Sequence, residues 1–315
     1  MNISTNCNII AEELKRGGVV AVPTETVYGL GANIFNEDAI REIFNLKKRP
    51  LTNPLIVHIG NLNQLDTLVD NVPDCFQILI KTFWPGPLTI LMDKKDSVPN
   101  IVTANSEKVA IRMPNHPLFL KVLTKLDFPI AAPSANPYKR ISSTEIEHVK
   151  KYFDGQLKYA LDGGKCTVGI ESTIVGLEEG EVFIYRKGGV SKEQLENVLD
   201  KKVFYKEVVG KQLPGSALKH YSPLKEMILS DDINKTVMQN SSRKIGILQF
   251  SDHLLFNNIE FNFSFKKNLE YASKNLFNYL HFLEQQEIDL IICEKFPSNG
   301  IGNALNDRIY RASSK

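Results

Sequence analysis

The 315 residues are long for one domain, and 43% hydrophobic with 23% charged side chains is the make-up of an ordinary soluble globular protein, here with two domains expected. Lys and Arg number 38 against 36 Asp and Glu, a net +2 that argues against avid nucleic-acid binding driven by overall charge while leaving room for a local basic groove. No apolar run approaches about 18 residues and the start MNISTNCNII lacks a basic and then apolar leader, so no membrane span or signal peptide is expected and the cytoplasm is the default, while Cys7, Cys75, Cys166 and Cys293 lie far apart with no CxxC pair or histidine at metal spacing, so no zinc site or disulfide framework is expected.

In chain order, a helix over 8–16 ends at Gly17-Gly18, and a short buried strand over 18–22 leaves through Pro23 into Thr24, Glu25 and Thr26, polar side chains placed to face a crevice. Gly29 and Gly31 in Tyr28-Gly29-Leu30-Gly31 permit a close approach that a β-carbon would obstruct, which suits a loop wrapped on a small molecule. Asn36 caps a helix over 37–47 with Ala39, Ile40, Ile43 and Phe44 on its apolar face, running out into Lys47, Lys48, Arg49 and Pro50. Basic residues in a last turn complement the helix dipole. Here Asn53-Pro54 and a strand over 54–59 carrying His58 come at once after them, which favours a ligand site.

Helices within 61–83 lead to the breaker Trp84-Pro85-Gly86-Pro87, which launches a strand over 88–92. Further strands are expected near 109–113, 129–132, 159–162, 172–177 and 181–186, with helices near 115–126, 143–151 and 191–199. Periodicity fades from about 203 to 224, where Gly210, Pro214, Gly215 and Pro223 mark a linker. Beyond it KEMILS, KIGILQF, a helix over 268–286, IDLIIC and a helix over 301–312 suit a small parallel sheet.

The segments PTETVYGLGA, KKRPLTNPLIVH, FWPGPLTI, VAIRMP, APSAN and ESTIV, in this order, resemble the YrdC family of threonylcarbamoyl-AMP synthases over about residues 8–200. The remainder of the chain is similar to the long form of that family, down to Pro214-Gly215 and His220-Tyr221-Ser222-Pro223. The resemblance implies an α/β protein: an open twisted mixed sheet with a central cavity over 1–205, a linker acting as a lid over 206–224, and a Rossmann-like domain over 225–315. It implies an enzyme that makes threonylcarbamoyl-AMP and pyrophosphate from L-threonine, bicarbonate or CO2, and ATP with Mg2+. The labile product would pass to the tRNA threonylcarbamoyl transferase machinery for N6-threonylcarbamoyladenosine, with weak direct tRNA contact left open.

Attack on the α-phosphorus of ATP needs alignment and charge neutralisation more than a nucleophile. Neither phosphate-loop pattern is met: Tyr159 and Cys166 break the P-loop around Gly163-Gly164-Lys165, and Gly29-Leu30-Gly31 lacks a third glycine. Dispersed cations and hydroxyls must hold the nucleotide. By resemblance, Lys47, Arg49, Ser134 and Asn136 form the catalytic set around the triphosphate, and Asn53, Lys108, Ser142, Arg186 and Tyr221 complete the ATP site. Thr26, His58, Arg112, Ala132 (through its backbone) and Ser172 match the threonine pocket. Arg112 also suits an α-carboxylate physically, through its bidentate fork.

Singly, each residue has a plainer reading: Arg112 as a structural salt bridge, His58 as a core histidine, Ser172 as an edge hydroxyl. Glu25 and Glu171 read as structural or magnesium-side groups. Two rival functions stay in view, an RNA-binding module of the same fold and a carbamoyl-phosphate-using transferase; the second lacks the zinc-finger and acylphosphatase-like segments it would need.

Overall fold

The computed structural model describes residues 1–206, 220–251 and 258–314. The chain opens with β1 (Asn2–Ser4), α1 (Cys7–Lys15), β2 (Val20–Val22), β3 (Gly29–Asn33), α2 (Glu37–Lys47) and β4 (Ile56–His58). It continues through α3 (Asp74–Phe83), β5 (Leu88–Asp93), α4 (Asn100–Thr103), β6 (Lys108–Arg112), α5 (Pro117–Leu123) and β7 (Ile130–Ala131). Next come α6 (Ile146–Phe153), β8 (Tyr159–Leu161), β9 (Thr173–Glu178), β10 (Glu181–Arg186), α7 (Lys192–Leu199) and β11 (Val203–Tyr205). The C-terminal part holds β12 (Glu226–Ser230), α8 (Ile233–Gln239), β13 (Ile245–Gln249), β14 (Ile259–Ser264), α9 (Leu269–Glu284), β15 (Leu290–Glu294) and α10 (Gly302–Ser313).

The first eleven strands form one mixed sheet, in the order β1-β8-β2-β3-β7-β4-β6-β5-β9-β10-β11. The last four form a second sheet, β12-β15-β13-β14, in which every pair is parallel. Crossover helices must then cover it, with α8 packing Ile233 and Val237 on one set of inward side chains and α9 and α10 supplying Leu276, Phe277, Leu280, Leu305 and Ile309 to another.

Helix starts follow their caps. Asn36 accepts from Ala39 N at 3.1 Å, and Ser191 with Gln194 closes a capping box at α7. α2 ends with Lys48 in the left-handed region at φ 52°, which turns the chain sharply enough for Arg49 N to reach Phe44 O at 2.9 Å.

Three expectations are corrected. Gly29-Leu30-Gly31 is no wrapping loop but the start of β3, paired with β2 and β7; a Cβ on Gly29 would stand 3.0 Å from Ala132 Cβ, so the glycine permits close approach of backbone to backbone. Val203–Tyr205, placed at the start of the linker, is a strand running parallel to β10. β1, α8 and β14 were not anticipated; β1 and β14 are edge strands, each with one neighbour, and such strands carry the weakest periodicity. Pro214 and Gly215 lie outside the described residues, whereas His220 and Tyr221 lie within them and are buried.

Candidate active site

Ile56 and His58 are two apart on β4 and so share a face of the sheet; Arg112, the register partner of His58 on β6, points to that same face. Over this face opens a cavity of about 570 Å³, counting the open solvent at its mouth. Its walls come from Thr26 and Gly29, from Arg49, and from Ala132, Pro133 and Ser134. Glu171, Ser172 and Arg186 close a further side, and His220 and Tyr221 cover it from the chain that enters the C-terminal domain.

Arg112 is 3% exposed and fixed on three sides. Its Nε donates to Gly86 O at 3.0 Å and Nη1 to Thr26 Oγ1 at 2.8 Å. Nη2 lies 2.6 Å from Glu25 Oε1, an ion contact that is not aligned as a hydrogen bond, since neither atom has a hydrogen-bond partner. Glu25 is steadied in turn by Asn115 N at 2.9 Å. Thr26 shares a 2.8 Å hydroxyl contact with Thr24, and Ser172 shares one of 2.7 Å with Thr89. Burial, and then the Arg112 charge, lower the His58 pKa to about 3, so the ring is neutral at neutral pH, with Nδ1 3.2 Å from Ile56 O.

Across the cavity, Arg49 donates from Nε to Asn53 O at 3.0 Å and from Nη2 to Asn53 Oδ1 at 2.6 Å and Pro54 O at 2.7 Å. Arg186 reaches Ser172 O at 3.0 Å and Ser172 Oγ at 2.9 Å, tying the two ends of the site together. Burial lowers both guanidinium pKa values to about 10, which leaves both fully cationic at pH 7.

Lys47 sits one layer behind. It is 1% exposed, and its Nζ donates to Ser134 O and, at 2.6 Å, to Asn136 O, so it ties α2 to the loop that presents Ser134. Burial, with Arg49 adding to it, drives its pKa well below the ordinary lysine value. Asn136 donates from Nδ2 to Pro137 O at 2.8 Å and Arg140 O at 3.0 Å, and Ser142 donates to Glu171 Oε1 at 2.6 Å; neither side chain is part of the cavity wall.

Of the expected residues, Thr26, His58, Arg112, Ala132, Ser172, Arg49, Ser134, Arg186 and Tyr221 therefore line one cavity, and Lys47, Asn53, Asn136 and Ser142 support it. Lys108 is not part of the cavity wall. It stands at the opposite end of β6 from Arg112, about 13 Å away by strand rise, in a 2.8 Å ion pair with the exposed Asp93.

The cover is made by both domains. Ser222 N donates to Lys139 O at 2.9 Å and His220 N to Arg311 O at 3.2 Å, so the segment is held between a loop of the large sheet and α10. Tyr221 is 1% exposed with φ 61°, a strained conformation for an aromatic residue, and its ring stacks on Phe277 at 5.6 Å. Burial raises its pKa to about 12, which keeps the phenol protonated.

The family model Sua5_yciO_yrdC, described as Telomere recombination, matches residues 12–188, and that described as Threonylcarbamoyl-AMP synthase, C-terminal domain, matches residues 190–314. The chain belongs to the Sua5/YciO/YrdC family. Within that family it is 35% identical to the threonylcarbamoyl-AMP synthase of Pyrococcus abyssi over 97% of this chain and 93% of the relative, and 36% identical to that of Bacillus subtilis over 99% and 94%. The crystal structure of P. abyssi Sua5 complexed with L-threonine superposes with a TM-score of 0.90 at 34% identity, covering 98% of this chain and 94% of that one.

Sequence reasoning did not place Glu171 on the cavity wall and did not find Arg308 behind it. Glu171 adjoins Ser172 in the ESTIV segment, a signal that could have been followed. Arg308 interrupts the apolar face of α10 formed by Ala304, Leu305, Ile309 and Ala312, and an arginine on a buried stripe calls for a partner.

Proposed function

We propose that this Sua5/YciO/YrdC-family enzyme is an L-threonylcarbamoyladenylate synthase that condenses L-threonine, bicarbonate or CO2, and ATP. One observation carries the reading. Three arginines, Arg49, Arg112 and Arg186, line a single cavity in which Glu171 is the one carboxylate among the described wall residues. Such a cavity fits an amino-acid carboxylate and a polyphosphate together. The relatives named threonylcarbamoyl-AMP synthase support it over the full chain, as does the L-threonine in the P. abyssi Sua5 crystal structure.

In this reading Arg112, Thr26, Ser172 and the backbone at Ala132 hold threonine, with neutral His58 beside them. Arg49, Ser134 and Arg186 hold the nucleotide, Lys47, Asn53, Asn136 and Ser142 keep those groups in place, and Tyr221 covers the site. The threonine amine captures the carbon donor to give N-carboxythreonine. A carbamate oxygen then attacks the α-phosphorus, and pyrophosphate leaves. Carbamate and mixed anhydride are both open to hydrolysis, so the His220-Tyr221 cover protects the product by excluding water.

Magnesium belongs to the substrate in this scheme, carried on the nucleotide phosphates. Among the described residues no group of three or more His, Cys, Asp or Glu is placed to hold a metal ion, and both Glu171 oxygens are engaged, so these residues do not fit a resident metal. Among the described residues no helix is long and apolar enough to cross a membrane, and we place the work of this enzyme in the cytoplasm, handing its product to a tRNA-modifying transferase.

The test is pyrophosphate release with each amino acid in turn. Release that depends on threonine and bicarbonate supports the synthase. A tight gel shift with tRNA and no release supports the RNA-binding module, which the inward placement of the arginines disfavours.

A further inference from the structure

The cavity wall is finished from behind by a residue of the C-terminal domain. Arg308, on α10, is 1% exposed and is not part of the cavity wall. Its Nε donates to Glu171 Oε2 at 2.7 Å, Nη2 to Lys187 O at 2.8 Å and Nη1 to Asp307 Oδ2 at 2.8 Å. Its guanidinium carbon lies 4.9 Å from the centre of the Tyr221 ring, on whose other contacts Phe277 and His220 pack. Two of the residues that Arg308 contacts, Glu171 and Tyr221, face the cavity.

The chemistry of that position is specific. Glu171 brings a negative charge into the wall of a site built for anions, and its Oε1 is occupied only by the neutral Ser142 hydroxyl. An uncompensated carboxylate beside Ser172 would oppose the binding of phosphates and of an amino-acid carboxylate. A guanidinium on Oε2, shared with Asp307, opposes that charge at contact distance, and its flat face packs against the strained Tyr221 ring.

We propose that Arg308 is a positioning residue for the reaction, through which the C-terminal domain neutralises Glu171 and seats Tyr221, setting the cavity's affinity for anionic substrate without touching it. The inference rests on the proposed synthase reading. It differs from a purely structural ion pair in one respect: the defect left by removing Arg308 must be relieved by removing the charge on Glu171.

The experiment uses the full chain and measures ATP affinity by calorimetry, threonine-dependent pyrophosphate release, and thermal unfolding, for the parent and for Arg308→Ala, Arg308→Lys and the double variant Arg308→Ala/Glu171→Gln. ATP affinity should fall about tenfold or more in Arg308→Ala, and the double variant should regain most of it; Arg308→Lys should lie between, since it keeps the charge and loses the fork. If Arg308→Ala does not fold, Arg308→Lys and the double variant carry the test, the double variant then binding ATP more tightly than Arg308→Lys. A folded Arg308→Ala with parental ATP affinity, or a double variant no better than the variants that keep Glu171, would overturn the proposal. A parent that binds ATP yet releases no pyrophosphate would instead count against the synthase reading, leaving the affinity comparison intact.

Discussion

At the scale of the residue, geometry divides the cations by role. Arg112 is held by Gly86 O and Thr26 Oγ1, with Nη2 pressed on Glu25, so its position is fixed before any substrate arrives. A lysine keeps the charge but cannot make the two directed bonds that fix the fork. Arg112→Lys should therefore raise the threonine KM about tenfold or more with a much smaller effect on the ATP KM; equal changes in both would remove Arg112 from the amino-acid end. Lys47 behaves differently, since its ammonium is spent on the carbonyls of Ser134 and Asn136. Lys47→Ala leaves Asn136 O buried and unpaired, at about 1–3 kcal/mol, while Ser134 O keeps its bond from Asn136 N. Denaturant unfolding should show that loss alongside the loss of turnover; an unchanged midpoint with lost turnover would make Lys47 a group that acts on substrate directly.

Elements meet across the domain boundary at a pair of histidines. His148 on α6 stacks on His281 on α9, ring centres 3.7 Å apart. Thr144 N donates to His148 Nδ1 at 3.2 Å, and His281 Nε2 donates to Ser142 O at 3.1 Å while its Nδ1 is buried without a partner, so each ring is neutral with its proton on Nε2. Burial first, then neighbouring cations, lowers their pKa values to about 2 and about 3. Arg140, Lys151 and Lys165 face the pair from the catalytic side, opposed by Glu145 and by Glu284, which binds Arg140 and, at 2.8 Å, Lys151. With folded values below the unfolded value of about 6.5, the unfolded chain takes up more protons as pH falls, so stability present above about pH 6.5 is lost steadily below it. Unfolding free energy should fall by about 1.4 kcal/mol per histidine for each pH unit between 6 and 4, with buried His58 and His220 adding to the slope, and His281→Gln should flatten it by one proton. An unaltered slope in that variant would show that the stack does not titrate on unfolding.

The same scale shows why parts of the fold were legible and others not. α2, α7, α9 and α10 announce themselves by an apolar stripe and a cap or breaker. β3 hid because its glycines serve a close approach to Ala132, so its sequence looks like a loop. In the site, strand register carries Arg112 to His58, and the ordered motifs pointed to both; Lys108 directly precedes the segment of Arg112 but lies at the far end of its strand, a distance that sequence order does not display. Arg308 and Glu171 are 137 residues apart, and only the docking of the two domains joins them.

For the molecule as a whole, the two sheets share a core. Val27, Ile141 and Ile170 of the catalytic part pack in one cluster with Phe277, Leu280 and Ile309 of the C-terminal part, and Tyr221 is inside it. A Cβ on Gly169 would meet the backbone of Ser273 at 2.4 Å, which puts a loop of the cavity side directly on α9. The C-terminal domain thus backs the cavity, with Phe277 behind Tyr221 and Arg308 behind Glu171. The most direct measurement supplies the enzyme with ATP, magnesium, L-threonine and ¹³C-bicarbonate and follows the product by mass spectrometry. The expected result is an adenylate whose mass contains threonine and AMP joined through one labelled carbonyl carbon, formed with pyrophosphate in equal amount; ATP consumption without a labelled threonine adduct would contradict it.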